Sequence, residues 1–341
     1  MDLNTIWFFL LGILLAGYAI LDGFDLGVGI LHPFVRNDRD RRVLLNSIGP
    51  FWDGNEVWLV TFGGAMFAAF PEVYATVFSG FYTAFMLLLY ALIFRAISLE
   101  LRSKLDHPAW RSFWDWAFAL GSAVATLLFG VAVGNAMTGI PVKEVNGNIE
   151  YVGTFFDLLG PYQLLVGVFA LAMFTMHGNL YLCLKTEGEL QQRVRGWAAK
   201  TFTFFLVTYL AVTLYTLAKL GHALDNFRAH PAAWAAVAVS VLAIVNIPRS
   251  LSKNRLLAAF VSSAVAIAAF NGLLGITLWP NLVLSNIDPA FNLDVYNAAS
   301  SAKTLKIMLT LAILGMPFVL AYTSVIYWVF RGKVQVGKMT Y

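Results

Sequence analysis

One cysteine, five histidines and few charges set the first limits on this 341-residue chain, in which Asp, Glu, Lys and Arg together make up only 12%. The lone Cys183 sits inside an apolar run, so an internal disulfide is excluded and the residue reads as an inert core thiol. There is no CxxCH, CxxC, P-loop or HExxH motif, and no GxGxxG between a strand and a helix. Covalent haem attachment, thiolate metal sites and phosphate cradles of the usual kinds are thereby removed. Of the histidines only His177 lies within an apolar run; His32, His107, His222 and His230 fall at loops or run ends. A bis-ligated haem needs two inward ligands at one depth, and no second histidine stands at that of His177, so no haem is expected on this chain. Tandem repeats and low-complexity stretches are missing. The longest connections, near 138–160 and 280–303, are too short for a core of their own.

What the chain has in quantity is apolar length, with 59% hydrophobic residues and a mean hydropathy of +0.72. The fold class is therefore an all-α polytopic membrane protein. A hydrocarbon core of roughly 30 Å needs about 20 apolar residues per helix. Such runs fall at 6–31, 51–70, 75–97, 113–137, 161–184, 198–220, 231–247, 256–279 and 304–330, which makes nine transmembrane helices. The expected organisation is one membrane domain over 1–341, with a first four-helix group in 1–137, a second in 161–279 and a peripheral ninth helix at 304–330. Connections 32–50, 98–112, 185–197 and 248–255 with the tail after 330 hold 16 Lys and Arg, whereas the alternate set holds 3. By the positive-inside rule the N-terminus is outside and the C-terminus cytoplasmic. MDLNTIW carries no positive charge and no small-residue cleavage pattern, so it reads as the start of a retained first helix. The net charge of +4 follows from this cytoplasmic bias and gives no reason to expect nucleic acid.

Against that apolar background the acidic residues stand out. Asp22 and Asp25 lie in LDGFDLGVG, Asp53 and Glu56 in FWDGNEVWL, Arg95 in ALIFRAISLE and Asp115 in FWDW. A carboxylate in a bilayer costs at least a few kcal/mol, so it pairs, borders water or moves protons. Asp25 is nineteen residues past Ile6, about 28 Å along the helix at 1.5 Å per residue. The second span starts, and the third ends, at that same cytoplasmic level. Asp22 and Asp25 are three residues apart, as are Asp53 and Glu56, so each pair shares a helix face. Asp25 and Asp53 read as proton carriers or partner-binding groups, Glu56 as either that or structural, Asp22 and Asp115 as nearer the interface, and Arg95 as a counter-ion. Gly23, Gly27 and Gly29 on the first span and Gly54, Gly63 and Gly64 on the second would permit close backbone approach.

Six runs carry a resemblance: AILDGFDLGVGIL at 19–31, NSIGPFWDGNEVWL at 46–59, GGAMFAAFPEVYATVFSGFY at 63–82, RAISLELRSK at 95–104, WRSFWDW at 110–116 and GVAVGN at 130–135, with TLWPN at 277–281 as a weaker seventh. Together they resemble subunit II of the cytochrome bd quinol oxidases of prokaryotic cell membranes. The resemblance implies nine helices with the N-terminus outside. It also implies a larger subunit I that carries two b-type haems and one d-type haem, oxidises quinol and reduces oxygen to water. This chain would bind no haem, scaffold subunit I and supply part of a cytoplasmic proton path. That role carries onto Asp25 and Asp53, with Trp52, Arg95 and Asp22 supporting; Glu56 stands where some members have Gln. Some members hold a structural quinone in this subunit, and small single-span subunits are possible partners. Two alternatives keep the same carboxylates: a proton- or cation-coupled transporter, or a purely structural subunit with ion pairs across a chain interface.

The charge asymmetry makes the orientation testable. A cysteine introduced near Lys143 is expected to react with an impermeant thiol reagent in intact cells, and one near Arg102 only after permeabilisation. The reverse pattern would invert every depth assigned above.

Overall fold

The computed structural model describes residues 2–334, so Lys338 of the basic tail lies outside the described residues. Helix α1 (Leu3–Leu31) begins where the Asp2 side chain accepts the Thr5 N–H at 2.7 Å, capping the first turn. A short amphipathic α2 (Asp38–Ile48) follows, capped by Asn37 and burying Leu44, Leu45 and Ile48. Then come α3 (Trp52–Ala69), α4 (Pro71–Gly80), α5 (Tyr82–Leu101), α6 (Pro108–Thr138), α7 (Pro161–Lys185), α8 (Gly188–Lys219), α9 (Asp225–Ala229), α10 (Trp234–Ser252), α11 (Leu256–Leu278) and α12 (Ala302–Val329). Among the described residues, eight helices are long and apolar enough to cross a membrane: α1, α5, α6, α7, α8, α10 with the turn before it, α11 and α12. The expected second span forms α3, but Asp53, Asn55 and Glu56 in its opening turns keep it less apolar than those eight. The third span, expected from residue 75, starts at Tyr82. Pro71 cannot continue α3, and the chain breaks again at Phe81 between α4 and α5.

The two longest connections meet at the end of the bundle that holds the N-terminus. Strands β1 (Val142–Val145) and β2 (Asn148–Tyr151) pair antiparallel, Val142 opposite Tyr151, around an Asn146–Gly147 turn with both φ positive. That is the turn whose twist suits a hairpin. β3 (Asn281–Val283) pairs with β4 (Leu293–Asp294), and the Ile140 N–H donates to the Leu284 carbonyl at 2.9 Å, joining the two loops. Val142, Leu158, Val283, Leu293 and Val295 are buried in one apolar cluster with Trp7 and Phe70. Neither loop has a core alone; together they share one over the helix ends.

Helix α1 is the axis of the bundle and packs on α3, α6, α7 and α11. Its tightest crossing is with α7, where a Cβ added at Gly27 would lie 1.9 Å from the Phe174 carbonyl oxygen, and one at Gly178 2.5 Å from the Gly27 carbonyl carbon. Gly23 and Gly29 are similarly crowded, by Phe174 and Ser122. Gly54, Gly63 and Gly64 differ from expectation: a Cβ there meets nothing within 4 Å, because these faces of α3 point away from α1. Helix α12 runs alongside α1 with only Leu305 buried. It is tied near one end by the Trp7 indole N–H donating to the Leu305 carbonyl at 3.0 Å.

The crossing predicts that Gly27→Ala forces α1 and α7 apart. Overpacking of this kind costs roughly 1–3 kcal/mol, and the detergent-purified protein should melt at a lower temperature than the parent. An unchanged midpoint would show that the two backbones are not in contact.

Candidate functional site

At the α2 end of the bundle three helices converge on one guanidinium. Arg95 of α5 is fully buried; its Nη1 donates to Asp22 Oδ2 at 3.0 Å and to Glu56 Oε1 at 2.7 Å, and its Nη2 pairs with Asp22 Oδ1. The fork therefore clamps Asp22 of α1 from two sides and reaches Glu56 of α3 with what is left, the fixed geometry for which Arg is suited. Asp22 is wholly buried in this pair. Glu56 remains partly exposed, its side chain 24% accessible.

Asp25, one turn further along α1, is also wholly buried but takes no part in an ion pair. Its Oδ2 accepts from Asn55 Nδ2 at 2.7 Å, while Oδ1 is buried with no hydrogen-bond partner. Asn55, absent from the expected set, also donates to the Leu21 carbonyl at 3.1 Å and accepts from the Tyr327 hydroxyl at 3.0 Å. The two i, i+3 pairs thus divide. Asp22 turns to α5 and Asp25 to α3; Glu56 meets Arg95 whereas Asp53, in the first turn of α3, is exposed on the surface of the chain. Trp52 is half-buried and packs against the apolar cluster under α2.

A second ion network lies beside the first at the same end. Asp115 of α6 is buried and receives Arg102 Nε at 2.5 Å, Arg102 Nη2 at 3.3 Å and Arg41 Nη1 at 2.7 Å, with His32 Nε2 3.4 Å away. Two arginines, Arg102 and Arg41, compensate the Asp115 charge and explain why it can be buried. Arg102 also reaches Asp38 of α2 at 2.8 Å, tying the amphipathic helix to the bundle. Partial burial pushes the Asp38 carboxyl up, but the Arg102 hydrogen bond and charge outweigh it and hold it below the usual carboxylate range. Its contribution to stability is thus present at neutral pH and lost as the pH falls through that lowered value.

His177 of α7 has both ring nitrogens engaged, Nδ1 with Ser263 Oγ at 2.7 Å and Nε2 with the Ile20 carbonyl at 3.0 Å, and its ring stacks on Phe260 at 4.7 Å. Neither nitrogen is free for an iron, so the residues present do not fit a haem at this position. Among the described residues no three His, Cys, Asp or Glu side chains converge to hold a metal ion. Cys183 is buried and unpaired.

Residues 3–330 match the family described as cytochrome bd terminal oxidase subunit II. The chain is 37% identical over 360 residues to the cytochrome bd-I ubiquinol oxidase subunit 2 of Escherichia coli strain K12, covering 97% of this chain and 95% of that protein. It is 36% identical over 347 residues to the cytochrome bd ubiquinol oxidase subunit 2 of Bacillus subtilis strain 168, covering 100% and 99%. A chain in the structure of the bd oxidase from Geobacillus thermodenitrificans superposes with a TM-score of 0.80 over 97% of this chain and 99% of that one; at 17% identity this is a likeness of fold.

The Arg95 clamp gives a direct test. Removing one partner of a buried ion pair costs roughly 3–5 kcal/mol, so Asp22→Asn should sharply reduce the yield of folded protein, while Asp53→Asn, which removes an exposed carboxylate, should leave it near the parent's. Equal yields for the two would show that Arg95 does not depend on Asp22.

Proposed function

The chain belongs to the cytochrome bd terminal oxidase subunit II family, and from that membership we propose that its acidic cluster forms part of the path by which protons enter from the cytoplasm for the reduction of oxygen to water. The protein is a multi-pass membrane subunit of a quinol oxidase complex, and its partner is subunit I of that complex. On this reading quinol oxidation and oxygen reduction take place in subunit I, which carries the haems. The present chain scaffolds it and brings protons toward it. We further read α3 as a ninth crossing, which puts the N-terminus outside and the α2 end in the cytoplasm, in keeping with the 16 to 3 bias of basic residues. Residues 1–137 and 161–279 then form two four-helix groups with α12 peripheral, a division supported by the exposure of α12.

One observation carries the proton reading: Asp25 is a fully buried carboxyl with no cation on it and one oxygen unbonded, next to two carboxylates that share the single Arg95 guanidinium. Arg95 is shared between Asp22 and Glu56, so both side chains are held in place. Asp25 can take up a proton and release it without breaking an ion pair, the property a relay group needs. Asp53, exposed at the mouth of α3, would draw protons from the aqueous side, and Glu56 lies one turn deeper on the same helix. Trp52 and Asp22 support the arrangement by packing and by charge. The relatives named above are ubiquinol oxidases; the substrate here is taken to be a quinol of that kind, with any structural quinone or small extra subunit an addition to this core.

Asparagine keeps the shape of Asp25 and removes its titration. General acid–base groups contribute typically about 10²–10⁴-fold, so Asp25→Asn in the assembled complex should slow oxygen consumption by at least about tenfold while haem per complex stays near the parent value. Haem lost in proportion to activity would assign Asp25 to assembly and remove it from the path.

A further inference from the structure

Asn55 has every polar atom of its side chain engaged, and its partners admit only one orientation. Its Nδ2 faces two acceptors, Asp25 Oδ2 and the Leu21 carbonyl, and its Oδ1 faces one donor, the Tyr327 hydroxyl. A flipped amide would set its oxygen against those acceptors, removing the donor from Asp25 Oδ2 and opposing two oxygens at Leu21. The far partner of this relay, Tyr327, comes from α12, a helix otherwise turned outward along its length. Its ring is held by Phe51, centroids 4.5 Å apart, and meets Phe24 edge-on at 6.5 Å.

The consequence falls on Asp25. Asn55 donates to Oδ2, and the carbonyl oxygen of a carboxylic acid is the stronger acceptor, so this bond favours Oδ2 as the carbonyl oxygen and Oδ1 as the place for the proton. Oδ1 is buried and carries no other hydrogen bond. The buried Arg95 is taken by Asp22 and Glu56. Resting on the proton-path reading of Asp25, we propose that Asn55 and Tyr327 are positioning residues for that path: Tyr327 fixes the Asn55 amide, the amide fixes Oδ2 as an acceptor, and the proton arrives on and leaves from Oδ1. The ninth helix is thereby a working part of the site. It sets the direction in which a carboxyl on the first helix offers its proton.

The test uses the intact oxidase complex and two readouts, oxygen consumption at constant haem content and the infrared carbonyl stretch of protonated carboxyls in difference spectra. Asp25→Asn identifies the Asp25 band by abolishing it. Tyr327→Phe keeps the ring contacts and removes only the hydroxyl; it should shift that band and slow turnover roughly two- to tenfold, the worth of one neutral hydrogen bond, with haem retained. Asn55→Leu should shift the band further. A band unmoved in both variants overturns the relay, whatever Asp25→Asn does to turnover. The lack of any carboxylic-acid band that Asp25→Asn removes overturns the proton on Oδ1. A shifted band together with normal turnover in Asp25→Asn is the distinct result in which the relay stands and the proton-path reading falls.

Discussion

A guanidinium cannot give up its proton inside a protein, so wherever Arg95 is carried by α5 it must be met there by carboxylates, and the meeting dictates how three helices are placed. Asp22 on α1 satisfies it from two directions and Glu56 on α3 from a third. Taking these charges out of water costs several kcal/mol each, which their mutual attraction offsets only when geometry and hydrogen bonding are good. The helices are therefore held in register at the α2 end, and Asp25 is delivered by α1 to a place where the local positive charge is already used. What makes Asp25 chemically distinct is thus decided by its neighbours. The same residue type three positions away is clamped by a guanidinium.

The second constraint is steric. α1 can present Asp22 to α5 and Asp25 to α3 only if it sits close to α7 on its remaining side, and the Gly27–Gly178 crossing permits that closeness. In lipid, helices gain little from burying apolar surface against one another, so dispersion between closely fitted backbones carries much of the association. The ion clamp and the glycine crossing act on opposite sides of α1 and need each other. At the other end the two loops, each short of a core, close over the helix ends by sharing one.

Much of this was legible in the residues. Hydropathy runs mark the long helices, and depth counting along α1, α3 and α5 brings Asp25, Asp53, Glu56 and Arg95 to one level. What depth cannot supply is direction around the helix. Asp53 and Glu56 share a nominal face, yet a small rotation of α3 leaves one exposed and the other on Arg95; the same rotation turns Gly54, Gly63 and Gly64 away from α1. Distance from a span end also carries no information on ion-pair partners: the arginines that meet the buried Asp22 and Asp115 lie 73 and 13 residues away in sequence. The breaks at Phe70 and Phe81 each had a local signal, Pro71 and Gly80, overridden by the apolar run. Asn55 stood in plain view inside WDGNEVW, an amide in a membrane segment, but Tyr327 had no local signal at all.

The bond from Tyr327 to Asn55 spans 272 residues, and a ribosome adding about 5–20 residues per second separates their synthesis by some tens of seconds. During that interval the first helices are already in the bilayer with the Asn55 oxygen lacking its donor. The chain therefore spends its insertion with an unfinished polar centre, closed only when the last hydrophobic segment leaves the translocon and docks. Completion of the site is tied to completion of the polypeptide, so translation that stops short of α12 leaves the Asn55 oxygen without the Tyr327 hydroxyl.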